Sequence, residues 1–286
     1  MNSMFRVIKI AARLSGFIAI TLVLCPLQFL VLAVLPRYWY VIPMFFHRCL
    51  ILMVGVTVRR HGSQPPAGAL LASNHVSWFD IVLLGAQMPL SFVAKDEVKT
   101  WPLFGQLANF QRTIFVNRAR GRHTLDSRDA MTERLLDGDR LVLFAEGTTG
   151  NGAGALPFKS ALFSSVQRRA ATDPAIPVHP VTVSYTALDG RVMTQAERDH
   201  YAWVGDAALV PHLLFTLGAP PITADIVFHD ALPASVMGDR KAIANLTQTT
   251  VDTALVALTN GEMPQIRLPE ASGTGDVALD AAPESR

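Results

Sequence analysis

No acidic residue precedes Asp80, and charge is scarce throughout: 17% of the 286 residues are charged and 50% are hydrophobic. Soluble domains average roughly 25% charged residues. The shortage argues against a disordered chain, a coiled coil and a nucleic-acid binder, each of which needs dense charge. Cysteine is nearly missing. Cys25 and Cys49 both sit in apolar stretches, which reads as buried free thiols in a reducing setting rather than a disulfide. No Cys/His cluster has the spacing of a zinc site, so no structural metal is expected. The Gly-x-Ser-x-Gly elbow of serine hydrolases is also absent, and no internal repeat occurs.

The charge that is present is unevenly placed. Seven of the 25 basic residues (Arg6, Lys9, Arg13, Arg37, Arg48, Arg59, Arg60) and none of the 23 acidic ones lie in residues 1–60. The net charge of +2 therefore conceals a basic, apolar front and an acidic rear. That is the pattern of a membrane-facing end and a water-facing body. The 23 residues between Arg13 and Arg37 carry no charge, a run long enough for a bilayer, which takes about 20 apolar residues. The run is too long, and lacks a small-residue cleavage site, for a signal peptide. Pro26 lies in its middle, where a missing N–H can kink or break a helix. Two geometries stay open: one spanning helix, or two helices that dip into one leaflet and return. Basic residues flank the run on both sides, which suits two ends at the same face. Tyr38, Trp39 and Tyr40 beside Arg37 have the composition of an interfacial aromatic belt.

Behind this front the apolar pattern alternates between strands and helices. Strands are expected at Val56–Arg60, Ala69–Ser73, Leu90–Ala94, Thr113–Val116, Leu141–Phe144, Val178–Tyr185 and Thr223–Phe228. Helices are expected at Asp80–Gln87, Trp101–Phe110, Arg122–Leu136, Lys159–Arg169 and Ile243–Leu258. Such alternation predicts an α/β fold, a mostly parallel sheet flanked by helices, with an N-terminal apolar helical segment that anchors to a membrane. Residues 261–286, rich in Ala, Pro, Gly and Asp, read as a disordered tail.

In α/β sheets reactive groups collect where strands end and helices begin. Ser73–Asp80, S-N-H-V-S-W-F-D, is one such junction. Asp80, five residues after His75 and across a bend, can hold one imidazole nitrogen and leave the other as a general base. No serine elbow and no cysteine outside the apolar front offers a nucleophile. The base then acts on a hydroxyl of the substrate itself, which predicts group transfer to an alcohol. A second junction, Phe144–Gly150, F-A-E-G-T-T-G, is glycine-rich, and its amides can bind an anion or oxyanion. Arg112, Arg118, Arg120 and Arg122 crowd the stretch around Ile114, as a solvated face or as a phosphate-binding wall.

These residues, taken in order, resemble the glycerolipid acyltransferase family, which includes the bacterial 1-acyl-sn-glycerol-3-phosphate acyltransferases. The family's N-H-x-x-x-x-D is present as Asn74, His75 and Asp80. Its paired Phe and Arg are Phe115 and Arg118 in T-I-F-V-N-R. Its F-P-E-G-T-R is F-A-E-G-T-T here, with Glu146, Gly147 and Thr148 retained, and its apolar run ending in proline is Val178-His179-Pro180-Val181. All four occur in the family's order and spacing, over roughly Arg60 to His229. Two positions depart: Thr149 stands where relatives that act on lysophosphatidic acid usually have Arg, and Arg112 stands where the second motif commonly has Gly. E-G-T-T-G-N-G, L-P-F-K-S-A-L-F, Y-T-A-L-D-G and W-V-G-D are similar to the bacterial lyso-ornithine lipid acyltransferase branch.

Charge, composition and the resemblance together give three parts: a membrane-anchoring segment at 1–59, an acyltransferase domain at 60–260 and the tail at 261–286. It implies a lysolipid O-acyltransferase of membrane lipid biosynthesis, moving a fatty acyl group from acyl carrier protein or coenzyme A to a lysolipid hydroxyl. The acceptor would be 1-acylglycerol-3-phosphate or lyso-ornithine lipid. His75 and Asp80 would be catalytic. Asn74, Arg118, Glu146, Gly147, Thr148, Lys159 and Pro180 would bind substrate, with no metal or other cofactor. The expected location is the bacterial inner membrane, with the catalytic domain facing the cytoplasm. The alternatives are a His–Asp hydrolase or phosphatase acting on a lipid, and a non-catalytic lipid-binding relative.

Overall fold

A computed structural model of the chain describes residues 3–116, 121–168, 170, 172–173, 175–205 and 207–268, without the side chains of 3 and 121–127. Arg118 and Arg120 of the expected basic wall, and the tail beyond 268, lie outside these residues.

Eight strands form one mixed sheet: β1 (Val56–His61), β2 (Leu70–Ser73), β3 (Ser91–Lys95), β4 (Ile114–Val116), β5 (Leu141–Phe144), β6 (Val178–Leu188), β7 (Arg191–Val192) and β8 (Ile222–Phe228). Their order is β1-β8-β6-β2-β5-β3-β4, with β7 paired to β6. The block β6-β2-β5-β3-β4 is wholly parallel, while β8 runs antiparallel to β6 and carries β1 parallel to itself. The central strands L-L-A-S and L-V-L-F are buried along their whole length. Continuous apolar runs of this kind are what a parallel sheet covered on both faces requires.

Alternate side chains feed two cores. Leu71, Val142, Phe144, Val181, Val183 and Tyr185 pack into one, beneath α3 (Phe79–Gly85), α4 (Phe104–Phe110) and α7 (Leu209–Gly218). Leu70, Ala72, Leu141, Leu143 and Val178 enter the other, under α5 (Gly121–Leu136) and α8 (Arg240–Thr259). A short α6 (Gln195–Tyr201) opens with a capping box, in which the Thr194 hydroxyl and the Glu197 carboxylate cap each other's backbone amides.

The expected helix over Lys159–Arg169 is instead a six-residue 3₁₀ turn, Ser160–Ser165. The segment is fastened at both ends: Lys159 N–H donates to Ala145 and Arg168 N–H to Met237. It therefore bridges the sheet and the start of α8 without room for a longer helix. Two helices, α6 and α7, were not expected from the sequence.

The apolar front folds as one long helix, α1 (Ser3–Val34), followed by a tight turn and α2 (Val41–Val54). Pro26 does not interrupt α1. The two helices run antiparallel: Arg13 reaches the Val54 carbonyl, Phe17 meets Phe46, and Gln28 donates to the Trp39 carbonyl. Gly55, at φ +80°, closes α2 and turns the chain into β1. One side of α1 is anchored on the first core. Lys9 and Arg13 donate to the carbonyls of Leu217 and Ala219 at the end of α7. There the cations meet the negative end of that helix. The other side of α1 is apolar and open, with Phe5, Leu22, Val23, Phe29, Leu30 and Val34 all more than half exposed.

Candidate active site

β2 and β5 lie side by side, with Ser73 level with Phe144. From their ends the chain leaves in opposite directions, β2 toward β3 and β5 toward β6. The crevice at such a switch point is where α/β sheets bind ligands. The first turn after β2 carries His75, and the loop after β5 carries Glu146–Gly150.

Asp80, in the first turn of α3, is fully buried and is met only by donors. Its Oδ2 accepts from His75 Nδ1 at 2.8 Å, Val76 N at 2.7 Å and Ser77 N at 2.9 Å. Its Oδ1 accepts from the Tyr185 hydroxyl at 2.7 Å. With both oxygens occupied as acceptors, Nδ1 is the donor in the His75 contact, and in the neutral imidazole the lone pair is then on Nε2. Nε2 makes no hydrogen bond among the described residues, and His75 lines the cavity described below. The imidazole lies flat on Phe144, ring centroids 3.8 Å apart and planes 13° from parallel, so its orientation is fixed from two directions. The Tyr185 hydroxyl is held well above the ordinary phenol range, first by burial and then by the charge on Asp80. It stays a donor.

Glu146 is buried beside the crevice and does not line the cavity. Its Oε1 accepts from Leu156 N at 3.1 Å, and burial raises its pKa to about 8 against the opposing pull of the Leu156 and His75 main chain. Gly147 takes φ +70° and donates its amide to Phe144, while Gly150 donates to the His75 carbonyl. These two bonds shape the loop so that Gly147, Thr148 and Thr149 line the cavity. The amides of Thr148 and Thr149 have no partner among the described residues. Thr149 Oγ1 donates to the Trp203 carbonyl, tying this loop to the segment before α7.

The cavity has a volume of about 590 Å³ and runs from His75 between α1, α2, α3, α4 and α7. Its walls are mainly apolar: Phe17, Leu24, Phe46, Val82, Phe104 and Leu213 among others. A site of this size and lining suits a hydrocarbon chain.

Of the nine residues expected at the site, His75, Gly147 and Thr148 line this cavity and Asp80 stands directly behind His75. Asn74 does not reach it. Its amide donates to Val183 O and accepts from Val183 N, at 2.9 and 2.8 Å, stitching the end of β2 to β6. Pro180 lies buried within β6 opposite Ala72, Lys159 is exposed beyond the loop, and Arg118 falls outside the described residues. Arg112 adopts φ +56°, a left-handed conformation that explains why glycine suits this position. Its guanidinium stacks over Trp39 and pairs with Asp139 at 3.7 Å rather than facing the cavity. Tyr185 was not expected at the site, nor was the stacking of Phe144 on His75. For Tyr185 a faint signal exists, since strand alternation puts it on the same face as Val181 and Val183, toward α3.

Comparison with known proteins identifies the family. The profile of the Acyltransferase family matches residues 55–184. The lyso-ornithine lipid O-acyltransferase of Brucella abortus is 38% identical over 92% of this chain and 100% of its own length. The 1-acyl-sn-glycerol-3-phosphate acyltransferase of Neisseria gonorrhoeae is 33% identical over 70% of this chain and 74% of its own. The crystal structure of the 1-acyl-sn-glycerophosphate acyltransferase PlsC from Thermotoga maritima matches 85% of this chain and 96% of that one, at a TM-score of 0.49 and 16% identity. The chain belongs to the acyltransferase family, and it is an enzyme.

Proposed function

We propose that this enzyme acylates the free hydroxyl of a lysolipid, with lyso-ornithine lipid as the acceptor, and that His75 is the base. One observation supports this most: a histidine oriented by a buried carboxylate, its other nitrogen open to an apolar cavity large enough for an acyl chain. In the reaction Nε2 of His75 takes the acceptor's hydroxyl proton and the alkoxide attacks the thioester carbonyl. The C–S bond breaks, and the departing sulfur takes the proton back from the imidazolium. The unpartnered amides of Thr148 and Thr149 are placed to stabilise the tetrahedral oxyanion. Asp80 holds the tautomer, and Asn74, Glu146 and Pro180 brace the strand ends that carry the reacting groups.

The donor is an acyl thioester of acyl carrier protein or coenzyme A, with its chain in the cavity. Thr149 favours the ornithine-headed acceptor, because a neutral hydroxyl bound to Trp203 replaces the guanidinium that would meet a phosphate. Residues 1–59 anchor the enzyme to the cytoplasmic face of a bacterial inner membrane, with residues 60–260 as the acyltransferase domain. The deciding assay offers both lysolipids in competition to membranes containing the enzyme and a labelled acyl thioester. Labelled ornithine lipid is expected. Acylation of the phosphate-headed lipid alone would overturn the acceptor assignment, and release of free fatty acid without any acceptor would overturn acyl transfer.

A further inference from the structure

One part of the cavity wall is not apolar. Three buried polar side chains converge there: Gln28 on α1, His47 on α2 and Gln111 just after α4, and all three line the cavity. Gln28 uses its Nε2 twice, on the Trp39 carbonyl at 2.8 Å and the Phe110 carbonyl at 3.0 Å. Those bonds fix the amide's orientation, and its Oε1 is left as a buried acceptor with no partner. His47 Nδ1, pressed against the main chain of Gly85, makes no hydrogen bond of normal geometry. A Cβ on Gly85 would stand 2.0 Å from His47 Nδ1 and 3.1 Å from Gln111 Nε2. The glycine is thus what lets the imidazole and the amide meet at the end of α3. Gly85 lies five residues along α3 from Asp80, about 8 Å at 1.5 Å per residue.

Buried polar groups in well-formed proteins are matched by partners. This group offers an acceptor, Gln28 Oε1, and a donor, Gln111 Nε2, and it carries no charge, since burial lowers the His47 pKa to about 4. A hydroxyl both donates and accepts and is neutral. A keto oxygen would leave Gln28 Oε1 unmatched, and a carboxylate would bring an unpaired charge into an apolar pocket.

The geometry points to a subsite, formed by Gln28, His47 and Gln111, for a hydroxyl carried part-way along a fatty acyl chain whose thioester or acceptor end lies at His75. This deepens the reading of the cavity as an acyl-chain site and rests on it. The enzyme then distinguishes hydroxylated chains from plain ones of the same length, at one position of the hydroxyl.

The test uses the full chain in membranes and a series of acyl thioesters of one length, plain or with the hydroxyl moved stepwise along the chain, on one lysolipid acceptor. A second arm gives the hydroxyl to the chain of the acceptor and keeps a plain donor. One positional isomer, in one arm, is expected to exceed the plain chain in kcat/KM by at least tenfold. His47→Phe and Gln28→Leu are each expected to lower that ratio at least tenfold. A wild type indifferent to the hydroxyl at every position overturns the proposal even if neither variant folds, and so does a preference both variants keep. Leu24→Trp, which fills the apolar wall, separates the two readings. A changed chain-length preference without any hydroxyl preference overturns only the polar subsite. An unchanged chain-length preference overturns the acyl cavity and the subsite with it.

Discussion

Asp80 is the residue on which the proposed chemistry turns. Four donors converge on one buried carboxylate, and each removes a freedom that His75 would otherwise have. His75→Ala is expected to lower kcat by about 10²–10⁴-fold, the usual range for a lost general base, with an unchanged circular-dichroism spectrum. A folded variant with near-normal turnover would sink the mechanism. Tyr185→Phe leaves Asp80 Oδ1 buried without its donor, at a cost of about 1–3 kcal/mol, which denaturant titration measures. Glu146 gives a pH signature. Its folded pKa of about 8 lies above its ordinary 4.5, so between those values the folded protein keeps a proton that the unfolded chain has released. Stability present at low pH is therefore lost as pH climbs from about 4.5 to about 8, then levels off, by on the order of a few kcal/mol in total. Glu146→Gln has no proton to lose. Its melting temperature, followed from pH 5 to 9, should gain on the wild type as pH rises, and parallel curves would refute this. His75 and Asp80 were legible in the sequence because five residues across a bend suffice to join them. Tyr185 was not, since it arrives from a strand 105 residues further along the chain. Asn74 and Glu146 share motifs with the reacting groups, yet sequence adjacency does not say which way a side chain turns at a strand end.

At the scale of elements, the central strands announce themselves as unbroken apolar runs, and expected and observed boundaries there differ by only a few residues. The failures have physical causes. α7, V-P-H-L-L-F-T-L within ten residues, is too short to show a helical period and has Pro211 in its first turn, where proline is tolerated. The 3₁₀ turn at Ser160–Ser165 has helical composition, but its ends are held by partners distant in sequence. Pro26 reads as a breaker, but α1 continues through it, supported on one side by α2 and the domain. What holds α1 there is partly Arg13, whose guanidinium meets the last carbonyls of α2 and α7 together. Arg13→Ala should weaken both junctions. Charged hydrogen bonds are worth about 1.5–3 kcal/mol, and partial exposure puts the expected loss at about 1–2 kcal/mol. Hydrogen exchange should accelerate at the ends of α2 and α7 while the centre of the sheet stays protected. Uniform acceleration would show that Arg13 does not act at these helix ends.

For the whole molecule the decisive relation is between α1 and the domain it rests on. Arg13 is bonded to the end of α7, and Gln28 to the Phe110 carbonyl at the end of α4. The fifteen helical steps from one to the other cover about 22 Å, all of it alongside the catalytic domain. A helix standing upright through a hydrocarbon core of about 30 Å would carry that domain into the lipid with it. Charge agrees: Arg6, Lys9 and Arg13 precede the apolar run and Arg37 and Arg48 follow it, so both ends favour the same anionic surface. On this proposal the anchor lies along the membrane, with its open apolar side, Leu22 and Phe29 included, turned into the acyl layer. In a chain with Cys25 and Cys49 replaced by serine, single cysteines at positions 3 and 35 should both react with an impermeant maleimide from the side that carries the catalytic domain. If position 35 reacts only from the opposite side, α1 spans the bilayer and the reclining anchor is refuted. Leu22→Asp with Phe29→Asp should release the enzyme from anionic vesicles in flotation while leaving its fold intact, because neither side chain contributes to the buried core beneath α1.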